Sequence, residues 1–227
     1  MNGIFYFSST GNSLFVAQLV RNSITGELRY IPGYKGDGRE YDRIIIVSPV
    51  YSFGLPVHVF QLLSSLHGTD IYMILTYGGM LSGADRLAYE YAEECGLSVR
   101  GVYTVKMVEN FTLTFSTPQF YNKLMLRLAS GRIEEIIASI TKNENNIPKP
   151  QKTKRLEYEN NKRNWHLIAN DFSVTEDCVQ CGKCISLCPS NNIYLQDGKI
   201  KFAQSCVACL GCYHRCPKKA IRYKNRK

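Results

Sequence analysis

Eight of the nine cysteines lie between Cys178 and Cys216, and their spacing is the most chemically specific feature of the chain. Cys178, Cys181, Cys184 and Cys188 follow C-x2-C-x2-C-x3-C with Pro189 next; Cys206, Cys209, Cys212 and Cys216 repeat the pattern with Pro217 next. Three thiolates spaced in this way can wrap three corners of an iron–sulfur cube, while a fourth, beside a proline that turns the chain away, can reach another cube. Structural zinc is the competing chemistry, but it is usually held by two C-x2-C pairs with a longer loop between them. Disulfides need an oxidising compartment, and Met1-Asn2-Gly3 with the short apolar run Ile4 to Phe7 does not read as a secretory leader. Every cysteine of the first half recurs 28 positions later, as do Pro189 with Pro217 and Ile193 with Ile221, so the region reads as two copies of one loop-and-turn unit.

The pattern resembles that of the bacterial two-cluster ferredoxins over about the last 55 residues. The resemblance implies two 4Fe-4S clusters with crossed ligation: Cys178, Cys181, Cys184 and Cys216 on one, and Cys206, Cys209, Cys212 and Cys188 on the other. Between the halves, Ile193 to Ile200 reads as a hairpin turning at Asp197-Gly198. A unit this small has little apolar core, so the clusters are expected to staple it and the iron-free unit to be unfolded. His214, inside the second motif, could tune a cluster through a hydrogen bond. His58, His67 and His166 show no ligand spacing, and Cys95 reads as a packed thiol near a helix end.

A second candidate chemistry sits at the other end of the chain. The run Ile4 to Phe7 leads into Ser8-Ser9-Thr10-Gly11-Asn12-Ser13 and then into the helical pattern of Leu14 to Val20. Strand, hydroxyl-rich loop and helix start, in that order, turn amides, hydroxyls and the positive end of a helix dipole toward one point, which suits a phosphate without any lysine. The same string also reads as an ordinary serine-rich helix start. Neither a G-x-x-x-x-G-K-S/T nor a G-x-G-x-x-G motif is present. What remains resembles the flavodoxin phosphate loop, T/S-x-T-G-x-T/S, with Ser8, Thr10, Gly11 and Ser13 at the matching positions.

That resemblance covers roughly residues 1 to 141 and implies an α/β fold, a flavodoxin-like doubly wound sheet of five parallel strands in the order 2-1-3-4-5 with ligand loops at their carboxyl ends. Candidate strands are Ile4 to Phe7, Leu28 to Ile31, Arg43 to Ser48, Ile71 to Thr76 and Val99 to Val108. Helical stretches are Asn12 to Asn22, Val57 to Leu66, Ser82 to Cys95 and residues 118 to 140, the last of which Gly131 could divide. The resemblance further implies FMN, with its phosphate on Ser8, Ser9, Thr10, Gly11, Asn12 and Ser13. Its ring is expected between Pro49-Val50-Tyr51-Ser52-Phe53-Gly54 and Thr76-Tyr77-Gly78-Gly79, where aromatics can stack and glycines let amides approach. The three loops contain no Asp or Glu, so a fully reduced, anionic flavin is expected to form more easily than beside a ring of carboxylates. Glu109 to Pro118, carrying Phe111, Leu113 and Phe115, departs from the plain fold and is expected to cover the flavin, dock the cysteine region or pack as an edge.

These motifs divide the 227 residues into a flavodoxin-like FMN-binding unit (1–141), a linker (142–164) rich in Asn and Lys with Pro148 and Pro150, and a small α+β ferredoxin-type unit (165–227) entered through Trp165, Leu167, Ile168 and Phe172. The composition, 44% apolar and 21% charged, is that of a globular protein. No apolar run approaches the roughly 20 residues of a membrane span. A cytoplasmic protein of an anaerobic microbe is expected. The formal charge of +9 is uneven: residues 1–141 carry 11 basic and 12 acidic side chains, 142–164 carry 7 and 3, and 165–227 carry 10 and 4. Two oxidised clusters of about 2− each would offset most of the last excess. The charge therefore reads as counter-charge for cofactors more than as a nucleic-acid footprint, and the basic tail Lys218, Lys219, Arg222, Lys224, Arg226 and Lys227 suits an acidic redox partner protein. No acid–base or nucleophile constellation appears, so the chain is expected to pass electrons between FMN, the clusters and external proteins. A flavin-dependent reductase of a quinone, nitro compound or free flavin is the enzymatic alternative, and a redox or iron sensor on nucleic acid the third. The sequence leaves the oligomeric state open.

Overall fold

The computed structural model describes residues 1–68, 70–113 and 117–224. Central strands of a parallel sheet are covered on both faces and must be apolar on both. β1 (Asn2–Tyr6), β2 (Gly26–Tyr30), β3 (Arg43–Pro49), β4 (Asp70–Tyr77) and β5 (Ser98–Lys106) form one sheet in the order β2-β1-β3-β4-β5, every neighbouring pair parallel. Along β3, Ile44 and Ile46 face one core while Ile45 and Val47 face the other. β4 divides likewise, with Ile71, Met73 and Leu75 on the first side and Tyr72 and Ile74 on the second. α2 (Val57–Ser65) and α3 (Ala84–Glu94) cover the first core with Val59, Leu62, Leu63, Ala88 and Ala92. α1 (Asn12–Ser23) and α4 (Gln119–Thr141) cover the second with Val16, Ala17, Val20, Ala129, Ile133, Ile136 and Ile140. This is the flavodoxin-like order, whose direction of winding reverses beside β1 and opens a crevice at the carboxyl ends of β1 and β3. α4 runs unbroken through Gly131, where an added Cβ would meet nothing within 4 Å.

The ferredoxin-type unit is built twice. β6 (Phe172–Val174) pairs antiparallel with β9 (Ile221–Tyr223), and β7 (Ile193–Gln196) with β8 (Lys199–Phe202). α6 (Lys183–Ser186) and α7 (Gly211–Arg215) open just before the third cysteine of each motif. The repeat reaches the backbone: the positive φ angles of Gln180, Gly182 and Asn191 return at Ala208, Leu210 and Lys219. Asn192 N and Ala220 N each donate to the last sulfur of their own motif, Cys188 Sγ and Cys216 Sγ, at 3.2 Å. The hairpin turns where expected, with positive φ at both Asp197 and Gly198 as a type I′ turn requires.

The segment expected to be a linker, 142–164, is instead a strap packed on the first unit. Asn146 adds to the edge of β5, donating to Arg100 O and accepting from Val102 N, both at 2.9 Å. α5 (Arg155–Asn164) follows. Its Tyr158 is fully buried and donates to Leu55 O at 2.6 Å, and its Arg155 pairs with Glu94 at 2.6 Å and Glu90 at 3.5 Å. Gly54 makes room for it, since a Cβ there would come within 2.4 Å of the Tyr158 ring. Trp165, opening a 3-10 turn (Trp165–Asp171), meets Tyr51 and Tyr158 edge-on. One buried aromatic in an otherwise polar helix leaves no apolar periodicity to read, which is why the sequence suggests a tether. Among the described residues no helix is long and apolar enough to cross a membrane.

Tyr158→Ala removes a fully buried aromatic and should cost about 3–5 kcal/mol, measured as a lower denaturation midpoint and faster proteolysis of the strap. Tyr158→Phe, which gives up only the hydrogen bond, should cost about 1 kcal/mol. Gly131→Ala replaces glycine in an open helix interior and should raise stability by about 0.5–1 kcal/mol in chemical denaturation.

Candidate cofactor sites

A cavity of about 930 Å³ opens at the carboxyl edge of the sheet, near the top of the about 300–1,000 Å³ common for small-molecule sites. Three candidate loops that are far apart in sequence line it: Ser8, Ser9, Thr10, Asn12 and Ser13; Pro49, Val50, Tyr51, Ser52 and Phe53; and Thr76, Tyr77, Gly78 and Gly79. Gly11 and Gly54 stand behind this wall. Gly11 is the residue before α1, and its φ of 124° is one that a side chain would resist. Gly54 is committed to Tyr158. Ser13 Oγ and Thr76 Oγ1 share a buried 2.8 Å hydrogen bond that ties the start of α1 to the end of β4. Ser8 Oγ accepts from Gly11 N at 3.2 Å, while among the described residues no acceptor takes the amides of Thr10, Asn12 and Ser13. Unpaired amides at a helix N-terminus are the donor set that a phosphate needs, so the loop fits that part of FMN.

The second loop is held in a costly shape. Tyr51 and Gly54 bond reciprocally, N to O, at 2.9 and 3.0 Å around Ser52 and Phe53, whose φ values are 48° and 73°. A left-handed conformation costs about 1–2 kcal/mol per non-glycine residue and is rare for a bulky one. The strap supports it: Trp165 Nε1 donates to Ser52 Oγ at 3.4 Å, and Lys154 Nζ lies 4.1 Å above the Phe53 ring. Asn161, Asn164, Trp165 and Ile168 also line the cavity, a contribution no loop motif signals. Tyr51 is pushed well above the usual phenol range by burial and stays neutral.

The three loops bring no carboxylate to the cavity, but the segment beyond β5 brings one. Glu109, beyond β5, lines it, with Oε2 only 2.8 and 3.3 Å from where Cβ atoms on Gly78 and Gly79 would stand. Gly78 must lack a side chain because the Glu109 backbone passes 2.5 Å from that position. The segment that follows both walls the cavity and docks the second unit. Phe111 lines the cavity and Leu113 is buried, while Phe115 lies outside the described residues. Asn110 Nδ2 donates to Thr10 Oγ1 at 2.5 Å, and Asn110 O accepts from His214 Nε2 at 2.8 Å. His214 is therefore engaged in docking. On the other side of β1, His58 stacks on Phe7 at 5.3 Å and donates to Pro189 O at 3.1 Å. Burial lowers its pKa and favours the neutral imidazole that this bond uses. Cys95 is a partly buried thiol against the first core.

The eight motif cysteines surround two small hollows. Cys178, Cys181, Cys184 and Cys216 line one; Cys188, Cys206, Cys209 and Cys212 line the other. Neither hollow has a His, Asp or Glu in its wall, and among the described residues no three such side chains or cysteines are grouped to hold a single metal ion. An all-thiol donor set around a space, with amides donating to Cys188 and Cys216, fits an iron–sulfur cube. Burial raises Cys206 to about 11 and pushes Cys184, Cys209 and Cys212 up as well, so these thiols keep their protons at neutral pH until a metal displaces them. Cys209 and Leu210 belong to the walls of both the second hollow and the large cavity. The first hollow lies outward, with Cys181 exposed and Lys183 and Lys218 in its wall.

Residues 177–221 match the family model described as the 4Fe-4S dicluster domain. Among curated proteins no relative matches. Solved structures similar over the first unit include Fusobacterium nucleatum flavodoxin bound to flavin mononucleotide, at 14% identity over 63% of this chain and 98% of that one, with a TM-score of 0.45. Two-electron reduced Megasphaera elsdenii flavodoxin shows 18% identity over 59% and 99%, with a TM-score of 0.41. Rubredoxin oxygen:oxidoreductase from the anaerobe Desulfovibrio gigas shows 15% over 61% and 36%, with a TM-score of 0.39. The chain joins a sheet of flavodoxin-like strand order to a segment similar to 4Fe-4S dicluster domains.

Proposed function

We propose that the chain is an electron-transfer flavo-iron-sulfur protein, with FMN in the large cavity and two 4Fe-4S clusters, one on Cys178, Cys181, Cys184 and Cys216 and one on Cys188, Cys206, Cys209 and Cys212. The observation that carries this reading is the shared wall: Cys209 and Leu210 line both the cavity and the second hollow, so a single stretch of chain stands between the two sites. Bound FMN would supply exchange of one or two electrons, and each cluster exchange of one. The residues of the chain hold and insulate. The amides of Thr10, Asn12 and Ser13, at the N-terminus of α1, take an anion. Tyr51 and Trp165 wall the ring side, and Glu109 sets a negative charge beside the Gly78-Gly79 edge, where it opposes a second negative charge. The outward cysteine set, with Lys183 and Lys218 beside it, suits an acidic redox protein whose association slows as salt is added. Of the basic tail, Arg226 and Lys227 lie outside the described residues.

The exposed Met80 and Phe111 in the cavity wall favour a second reading, reduction of a small molecule at the flavin. Steady turnover of a quinone or nitro compound with NAD(P)H and no added redox protein would select it.

Protein purified without oxygen should contain about eight irons and eight sulfides together with one FMN. Zinc in place of iron, or no flavin, would each remove half of the proposal. Cys209→Ser should abolish fast exchange between flavin and cluster in anaerobic stopped-flow measurements. Cys181→Ser should leave that exchange in place and lower delivery to an external acidic acceptor; equal effects of the two substitutions would overturn the assigned order.

A further inference from the structure

The loop Ser8 to Ser13 has no cation of its own, since the first basic residue of the chain is Arg21, in the last turn of α1. The cation beside it comes from the other end of the sequence. Arg215, the last residue of α7, donates from Nε to Ser9 O at 2.7 Å and brings an Nη atom to 4.0 Å from where a Cβ on Gly11 would stand. α7 is seated there by close packing: a Cβ on Gly211 would lie 3.3 Å from Ser9 Cβ. None of the ion pairs among the described residues involves Arg215, so no carboxylate neutralises it. One edge of its guanidinium is spent on Ser9, and the Nη atoms make no hydrogen bond to a described residue. Ser9 itself is buried at the cavity wall, its hydroxyl beside the Tyr51 and Cys209 side chains. An uncommitted guanidinium next to unpaired loop amides matches a phosphate monoester better than either feature alone.

We propose that Arg215 is a phosphate-binding residue, supplied to the flavin site by the iron–sulfur unit. This rests on the reading of the cavity as an FMN site and goes beyond it: the phosphate is gripped from both units, so a bound FMN and the docked α7 stabilise one another by linkage. A plain clamp, in which Arg215 serves only to bond Ser9 O, predicts no preference for a phosphorylated flavin.

The test uses the iron-loaded full chain, stripped of flavin and titrated without oxygen with FMN and, separately, with riboflavin, following flavin fluorescence. Arg215→Gln keeps a donor and loses the charge. It should weaken FMN binding by about 10- to 100-fold and change riboflavin binding by less than about twofold, while Arg215→Lys should recover most of the FMN affinity. Because position 215 adjoins Cys216, wild-type protein supplies an independent measurement: its preference for FMN over riboflavin should narrow as salt is raised. An Arg215→Gln protein that binds FMN as tightly as wild type, an equal loss for both flavins, or a wild-type preference indifferent to salt would overturn the proposal and leave the FMN site standing. Wild-type protein that binds neither flavin would sink the FMN reading and the proposal together.

Discussion

Ser9 and Gly211 approach closely enough that a Cβ on Gly211 would stand 3.3 Å from Ser9 Cβ and 3.7 Å from Cys209 Sγ. The first of these distances is tighter than ordinary packing, so the absence of a side chain at position 211 lets the two units sit this close without a shift of Ser9. From that contact follow the rest: Cys209 and Leu210 reach the cavity wall, Arg215 reaches Ser9 O, and His214 reaches Asn110 O. In the other half of the internal repeat, 28 residues earlier, the equivalent position is Lys183, which lines the outward hollow. Two halves of nearly the same backbone therefore differ where docking is decided. One has glycine and goes in; the other has a solvated cation and stays out.

The strap serves the same contact from the opposite side. Tyr158 and Trp165 bury their rings between α3 and the Tyr51 turn, and Gly54 is the floor on which Tyr158 rests. This burial stabilises by more than the left-handed Ser52 and Phe53 cost, since a fully buried aromatic is worth about 3–5 kcal/mol against about 1–2 kcal/mol for each strained residue. The turn that faces the cavity is thus held in shape by chain that lies outside the flavodoxin-like sheet. Two segments with no part in that sheet, α5 and the turn just before α7, complete the wall that its loops begin.

The candidate strands, the hydroxyl-rich loop ahead of α1, the aromatic and glycine loops, and the grouping of eight cysteines into two motifs were legible in the residues, and the sheet order in the flavodoxin resemblance. Strands and motifs are encoded locally: two-sided burial makes strands such as Ile44 to Val47 apolar throughout, and three of the four cysteines around each hollow lie a few residues apart on one loop. The linker was misread because α5 is polar except for the buried Tyr158 and the exposed Leu156. The carboxylate in the cavity wall was not legible in the loops because Glu109 is brought in by the segment beyond β5 and belongs to no loop motif.

What the sequence determined by itself is which atoms could take part: thiols at cluster spacing, amides and hydroxyls ahead of a helix, apolar strands to carry them. Which cysteine set adjoins the cavity, which cation stands beside the Ser8 to Ser13 loop and which carboxylate faces the glycines were decided by tertiary structure alone. Ser9 and Arg215 are 206 residues apart, and no spacing rule spans such a distance. Only the fit of α7 against the loop, with Gly211 packed on Ser9, brings them together.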